Sequence, residues 1–237
     1  MKQLNKLHRI YLETKIEVNK NIPINQILTH RLNKVLRIKK NENIILFNGN
    51  GEEYICEVIL DKKKYLKPIT RNRKINKNLQ QIILAQSITA SKAMELSIQK
   101  AVELGVESII PIISERSHEG DYQKKIDRWK QIIVHAVEQS AGLFIPNIDK
   151  IIYLDRFLEE HKEVKNYKIL YDPHGRKMNK TDINHKKYTI LIGPEGGFTE
   201  NEIKNSIKKN WNIISLGDRI LRTETASIVG HALIKRF

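Results

Sequence analysis

Two apolar runs near the carboxyl terminus each break into a glycine turn and then into a stretch of helical periodicity, and this repeated unit organises the chain. Thr189-Ile190-Leu191-Ile192 has the unbroken apolar character of a buried strand, and Gly193-Pro194-Glu195-Gly196-Gly197 after it extends neither strand nor helix. Thr199 and Glu202 have capping-box spacing, which predicts a helix from about Glu200 with Ile203 and Ile207 on its buried face. Trp211 to Leu216 repeats the strand, Gly217 opens a second turn, and Thr223 is placed to cap a helix running to the carboxyl terminus. Upstream, Gln81–Ala85 and Ser108–Ile113 read as strands around a helix whose stripe is Met94, Ile98, Ala101 and Val102 and whose stop is Gly105. A helix over Asp127–Gln139 follows, then a strand over Lys168–Tyr171 and a turn over Asp172-Pro173-His174-Gly175. Strands alternating with helices from Leu79 onward predict an α/β domain with a largely parallel sheet.

The first seventy or so residues have a different grain. Ile10-Tyr11-Leu12 is a short strand, and Ile44–Phe47 with Tyr54–Ile59 flank Asn48-Gly49-Asn50-Gly51, a strong hairpin signal. One helix is expected between Ile24 and Leu36. The stretch from Thr70 to Asn78 is polar, basic and nearly free of apolar residues, which reads as a linker and puts a boundary between a β-rich unit, residues 1–73, and the α/β domain, residues 74–237.

Charge narrows the partners. Of 237 residues, 42 are Lys or Arg and 27 Asp or Glu, a formal net charge of +15, which suits a phosphate-backbone binder. Lysine, asparagine and isoleucine are overused throughout, so a merely solvated basic surface stays open as an alternative. One cysteine, Cys56, excludes an internal disulfide and favours a reducing compartment. No stretch has the apolar length of a membrane span, and MKQLNKLHRI does not read as a signal peptide, so a cytoplasmic protein is expected. The eight histidines are scattered without metal-ligand spacing, and no metal is expected.

The glycine turns constrain the ligand. Neither has the spacing of a phosphate-binding loop or of a dinucleotide fingerprint, and no lysine follows the glycines to meet a phosphate. Both leave the carboxyl end of a strand, where open α/β sheets bind ligands. Residues without a Cβ let backbone groups approach closely, as reading an adenine edge and a ribose requires. A tight turn with no ligand remains the bland alternative for the first loop alone.

Ile192-Gly193-Pro194-Glu195-Gly196-Gly197-Phe198 followed by Leu216-Gly217-Asp218-Arg219-Ile220-Leu221-Arg222-Thr223-Glu224-Thr225-Ala226 closely resembles the two signature loops of the RsmE-like 16S rRNA uracil-N3 methyltransferases, of the SPOUT class. The resemblance extends over the whole chain, including Lys100–Val106, Ser114-Glu115-Arg116-Ser117 and Glu138-Gln139-Ser140. It implies a trefoil-knotted α/β domain with a largely parallel sheet, preceded by a small PUA-like β-barrel that attaches to RNA. It further implies a homodimer, S-adenosyl-L-methionine as cofactor, and 16S rRNA or an assembled small ribosomal subunit as partner. Carried onto this sequence, the cofactor residues are Leu191, Ile192, Gly193, Glu195, Gly196 and Gly197 in the first loop. Those of the second loop are Leu216, Gly217, Arg219, Ile220, Leu221 and Thr223. The turn at Asp172–Gly175 resembles a further knot loop, and Arg9, His30, Arg37 and Arg116 are the candidates for RNA contact.

Two places depart from the family. Ala141-Gly142-Leu143-Phe144-Ile145-Pro146 stands where the family usually has a glycine and two arginines before Val-Pro, and Ala93 stands where a basic residue is common. Both remove positive charge. For the chemistry, Arg222 is the expected catalytic group, because a permanently charged guanidinium can stabilise negative charge on the carbonyls flanking a deprotonated uracil nitrogen. Glu224 is expected to orient it or the substrate; the alternative is that the two form a structural ion pair capping the last helix. A non-catalytic RNA-binding or assembly factor, a SPOUT methyltransferase acting on a different RNA nucleotide, and a nucleotide-dependent enzyme are the competing classes. Calorimetric titration with S-adenosylmethionine and with ATP separates a methyltransferase from a pure binder and from a nucleotide enzyme.

Overall fold

A computed structural model describes residues 7–76, 80–118, 120 and 122–235. The first six residues and residues 77–79, with the end of the expected linker, lie outside the described ones. By its internal contacts the chain divides into Met1–Lys77 with Val137–Ile145, and Asn78–Ala136 with Pro146–Phe237. Segment 137–145 thus joins the first unit, where the sequence placed a single boundary at 73/74.

In the first unit the elements are β1 (Arg9–Tyr11), β2 (Ile22–Pro23), α1 (Gln26–His30), β3 (Asn43–Phe47), β4 (Glu52–Leu60) and β5 (Lys64–Lys74). They form a sheet in the order β1-β3-β4-β5-β2, antiparallel except for β1 beside β3. The Asn-Gly turn sets the hairpin register, with Ile45 opposite Ile55. Ile10, Leu32, Leu46, Cys56 and Leu66 are fully buried between sheet and helix. Burial pushes the Cys56 thiol up to about 12, which makes it an inert core residue. Asn25 caps α1 by accepting from the Leu28 N–H at 2.8 Å, and the helix continues as a π-helical turn over Arg31–Val35, so the expected single helix is two different windings.

The basic stretch at Thr70–Lys74 is not a linker. It is the second half of β5, paired with β4 so that Arg73 lies opposite Glu53 and Lys74 opposite Glu52. Glu53, only 3% exposed, accepts from Arg9 at 2.6 Å, Asn72 at 2.6 Å and Arg73 at 3.3 Å. The cations that made the segment look solvated are partners of buried or half-buried carboxylates, and one-dimensional composition does not reveal a cross-strand partner.

The second unit contains β6 (Gln81–Ser87), α2 (Ser91–Glu103), β7 (Ser108–Ile113), α3 (Gln123–Gln139), whose last residues count with the first unit, β8 (Asn147–Ile148), β9 (Ile152–Tyr153) and α4 (Leu154–Glu160). After these come β10 (Tyr167–Lys177), β11 (Lys187–Ile192), α5 (Glu200–Lys208), β12 (Asn212–Ser215) and α6 (Thr223–Ile234). The sheet is parallel throughout, in the order β12-β10-β11-β6-β7-β8, with β9 also on β7. Strands covered on both faces need apolar side chains on both, hence the fully buried Leu84, Ala85, Ile109, Ile112, Ile169, Leu170, Ile190 and Leu191. β12 lies at the edge beyond β10, yet α6 after it packs on α2 and β11. The chain therefore returns across the sheet, a crossing that a trefoil knot requires.

Three local expectations fail here. Asp172–Gly175 does not end its strand: β10 continues to Lys177, with a register break against β12 between Tyr171 and Arg176. Glycine is needed at 175 because a Cβ there would stand 2.7 Å from the backbone of Ile214. Ile207 is 55% exposed, and α5 instead buries Glu202 and Ser206 beside half-buried Ile203. Glu202 is buried because it completes the capping box with Thr199 and also accepts from the Glu115 N–H at 2.8 Å. Thr223 does not cap α6; Arg222 holds that position, without a side-chain cap.

Candidate active site

Because β6, β10, β11 and β12 are parallel, the segments that follow or interrupt them gather at one edge of the sheet. There they surround a cavity of about 880 Å3. Its wall includes both glycine loops, the Asp172–His174 bulge, and Ala90, Lys92, Ala93 and Leu96 at the start of α2.

The first loop is fixed at four points. Phe198, 6% exposed, anchors its end in the apolar core that includes Leu191 and Trp211. The Glu195 carboxylate accepts from the Thr89 hydroxyl at 2.7 Å and the Ala90 N–H at 2.9 Å. Partial burial opposes its charge, but these hydrogen bonds prevail and hold its pKa below the usual carboxylate range. The second of these bonds fixes the backbone at Ala90, the N-cap residue of α2, which has no side-chain cap of its own. Arg116 donates to the Gly196 carbonyl at 2.7 Å, and Thr223 donates to the Gly193 carbonyl at 2.6 Å while accepting from Gln86 at 3.1 Å. Thr223 thus links the start of α6 to the first loop, which is what its hydroxyl does instead of capping.

In the second loop the Ser215 hydroxyl accepts from the Gly217 N–H at 3.3 Å and donates to its carbonyl at 2.9 Å. Gly217 has φ +132°, open to glycine, and neither it nor Gly197 has an atom within 4 Å of where a Cβ would stand. The backbone is bare toward space at both. Apolar Ile192, Leu216, Ile220 and Leu221 complete the wall, and neither loop contains a lysine. Bare peptide edges among apolar side chains fit a nucleoside better than a phosphate.

Arg222 is exposed at the head of α6, and Glu224 is half-buried in its first turn; both line the cavity. Among the described residues they form no ion pair with each other, so the structural-pair alternative does not hold. Glu224 in the first turn interacts favourably with the helix dipole.

Residues 76–235 match the model of the RNA methyltransferase domain, and residues 32–67 that of the RNA methyltransferase PUA domain. This chain belongs to the RNA methyltransferase family. Among its relatives, the ribosomal RNA small subunit methyltransferase E of Mesomycoplasma hyopneumoniae is 35% identical over 94% of this chain and 96% of its own. That of Buchnera aphidicola subsp. Acyrthosiphon pisum is 34% identical over 94% and 91%. A crystal structure of the methyltransferase E of Neisseria gonorrhoeae bound to S-adenosyl methionine superimposes with TM-score 0.87, 32% identity and 95% coverage of both chains.

For a member of this family, the expected site residues separate clearly. Ile192, Gly193, Glu195, Gly196, Gly197, Leu216, Arg219, Ile220, Leu221 and Thr223 all line the cavity. Leu191 does not: its side chain is fully buried in the core, one strand position before the loop, because a strand alternates faces. Gly217 faces a second cavity on the other side of its loop. Arg9 is held by Glu53 at 2.6 Å and by the Gly142 carbonyl at 3.0 Å, with its side chain 13% exposed. His30 and Arg37 are exposed in the first unit, and Arg116 belongs to the cavity. The family departure at 141–146 falls in a packed segment: Leu143 is 1% exposed, and the Ala141 carbonyl accepts from Arg73 at 2.7 Å. Thr89, Ala90, Lys92 and Leu96 were missed; the uncapped start of α2 was the one signal for Thr89 and Ala90.

Proposed function

We propose that this protein transfers the methyl group of S-adenosylmethionine to N3 of a uridine in small-subunit 16S ribosomal RNA. The observation that carries the reading is the single cavity shared by two bare-backbone glycine loops and by Arg222 and Glu224. Ile192–Gly197 and Leu216–Leu221 would hold the nucleoside, and the bound cofactor supplies an electrophilic methyl group. The chain's own residues must make N3 nucleophilic. Uracil N3 carries a proton at neutral pH, so the anion must be favoured as that proton passes to water; the N–C bond would then form as the methyl–sulfur bond breaks, leaving S-adenosylhomocysteine. Arg222 donates to the flanking carbonyl oxygen, where the anion's charge resides, and Glu224 in the first turn of α6 orients the guanidinium or the base. A pure RNA binder would need neither glycine loop kept bare.

The PUA-like unit, with exposed His30 and Arg37, supports attachment to rRNA. The homodimer rests on membership of this family, whose resemblance implies a two-fold, self-complementary interface. No described helix is long and apolar enough to cross a membrane, and a cytoplasmic enzyme is in keeping with a ribosomal substrate.

Purified enzyme, S-adenosylmethionine and small subunits lacking the modification should yield N3-methyluridine by nucleoside mass spectrometry. Arg222→Leu should lower turnover by about 100-fold or more, as for an oxyanion donor, with cofactor affinity unchanged. Methylation of cytidine, guanosine or a ribose hydroxyl would overturn the uridine assignment. An Arg222→Leu enzyme of full turnover would overturn the mechanism.

A further inference from the structure

The second cavity, about 810 Å3, lies across the Leu216–Ile220 loop from the first. The two share a wall made of Pro173 and His174 on one side and Ser215, Leu216, Arg219 and Ile220 on the other. Its remaining cations are Lys177, the last residue of β10, and Lys180 just beyond it. We propose that this cavity is a subsite for the RNA backbone, in which Lys177, Lys180 and Arg219 take the phosphodiester next to the nucleotide whose base enters the first cavity.

Three observations carry this, together with the methyltransferase reading above on which it rests. A base cannot enter a cavity alone: an enzyme that acts on a nucleobase takes it out of its stack, and the adjoining phosphates stay within one nucleotide of it. A cavity that shares a wall with the reaction chamber is where such a phosphate must lie.

The cations there are also unspent. Lys177 approaches Asp218 only to 4.0 Å, with both side chains about nine-tenths exposed (89% and 93%), a pairing that contributes little. Among the described residues Lys180 and Arg219 form no ion pair. Their neighbour Arg176 does the opposite, binding Asp182 at 2.8 and 2.6 Å.

That pair shapes the segment. Asp182, 0% exposed, also accepts from the Asn179 N–H at 2.7 Å and from the Tyr167 hydroxyl. Asn179 in turn accepts from the Thr181 N–H at 2.9 Å. The loop carrying Lys177 and Lys180 is thus folded around a buried carboxylate before any ligand arrives, and two ammonium groups are left outside it. A loop folded in advance that presents weakly paired or unpaired cations beside a reaction chamber suits a polyanionic substrate.

The test uses full-length protein and the double variant Lys177→Gln/Lys180→Gln. Four quantities are measured: binding of a short oligouridylate across a salt series, calorimetric affinity for S-adenosylmethionine, kcat and KM on unmodified small subunits, and mass by light scattering. Expected are RNA affinity about tenfold weaker, KM raised with kcat nearly kept, and unchanged cofactor affinity and mass. The slope of log affinity against log salt should fall by about 0.7 for each single-strand phosphate that is no longer neutralised. Lys177→Arg/Lys180→Arg should restore all of these. Unchanged RNA affinity and slope would overturn the proposal. So would a lost cofactor affinity, which would assign the cations to the cofactor's carboxylate, or a changed mass, which would assign the cavity to a subunit interface. Failure of the wild-type enzyme to methylate RNA would instead overturn the function, independently of the variant.

Discussion

Gly196 stands where the backbone is shaped for a ligand by a side chain from far along the sequence. A Cβ built there would meet the Arg116 Cδ at 3.2 Å and Cβ at 3.6 Å, while Arg116 donates to the Gly196 carbonyl. An alanine displaces an exposed, flexible side chain by a few tenths of an ångström. The branched methyls of valine would drive Arg116 off the carbonyl and fill the space beside the loop. Gly196→Val is therefore expected to weaken S-adenosylmethionine binding by about 100-fold or more in calorimetry, with Gly196→Ala losing far less and both variants melting near the wild type. A folded Gly196→Val protein with wild-type affinity would remove this loop from the cofactor site.

At the scale of one element, α6 carries a polar stripe where an apolar one would be expected. Thr223, Ser227 and His231 recur every four residues, all buried, with Gly230 against the ring of Tyr171 and its carbonyl accepting from the Tyr171 hydroxyl at 3.1 Å. A helical glycine costs about 1 kcal/mol relative to alanine, and here it permits that approach. Among the described residues neither ring nitrogen of His231 has a hydrogen-bond partner, and burial, with Lys235 nearby, lowers its pKa to about 3. The neutral ring is thus the folded form, and the unfolded chain binds the proton more readily, at the ordinary value of 6.5. Stability contributed this way is complete above that ordinary value and is lost as pH falls toward the folded one. The slope approaches about 1.4 kcal/mol per pH unit. His231→Leu should flatten the acid limb of a urea-unfolding series between about pH 4 and 6.5 and leave stability at pH 8 equal or higher, because no hydrogen bond is lost. An unchanged acid limb would mean that other groups dominate it.

For the whole molecule, light scattering at micromolar concentration should give twice the chain mass. A monomeric wild-type enzyme of full activity would refute the dimer. Much of this molecule was already written along the chain. The alternation of β6 to β12 with α2 to α6, the Asn-Gly hairpin, the Thr199–Glu202 capping box and the two glycine loops are local patterns, fixed by side-chain periodicity and by residues whose backbone freedom is special. What the chain could not state was partnership over distance. Glu53 pairs with Arg9 and with Arg73 of a basic stretch that is a strand, Glu195 accepts from an N–H that opens a helix 105 residues earlier, and Arg116 donates to the Gly196 carbonyl. Composition records that these charges exist; only the folded chain brings each to the group that neutralises it or leaves it, as at Lys180, without an ion pair among the described residues.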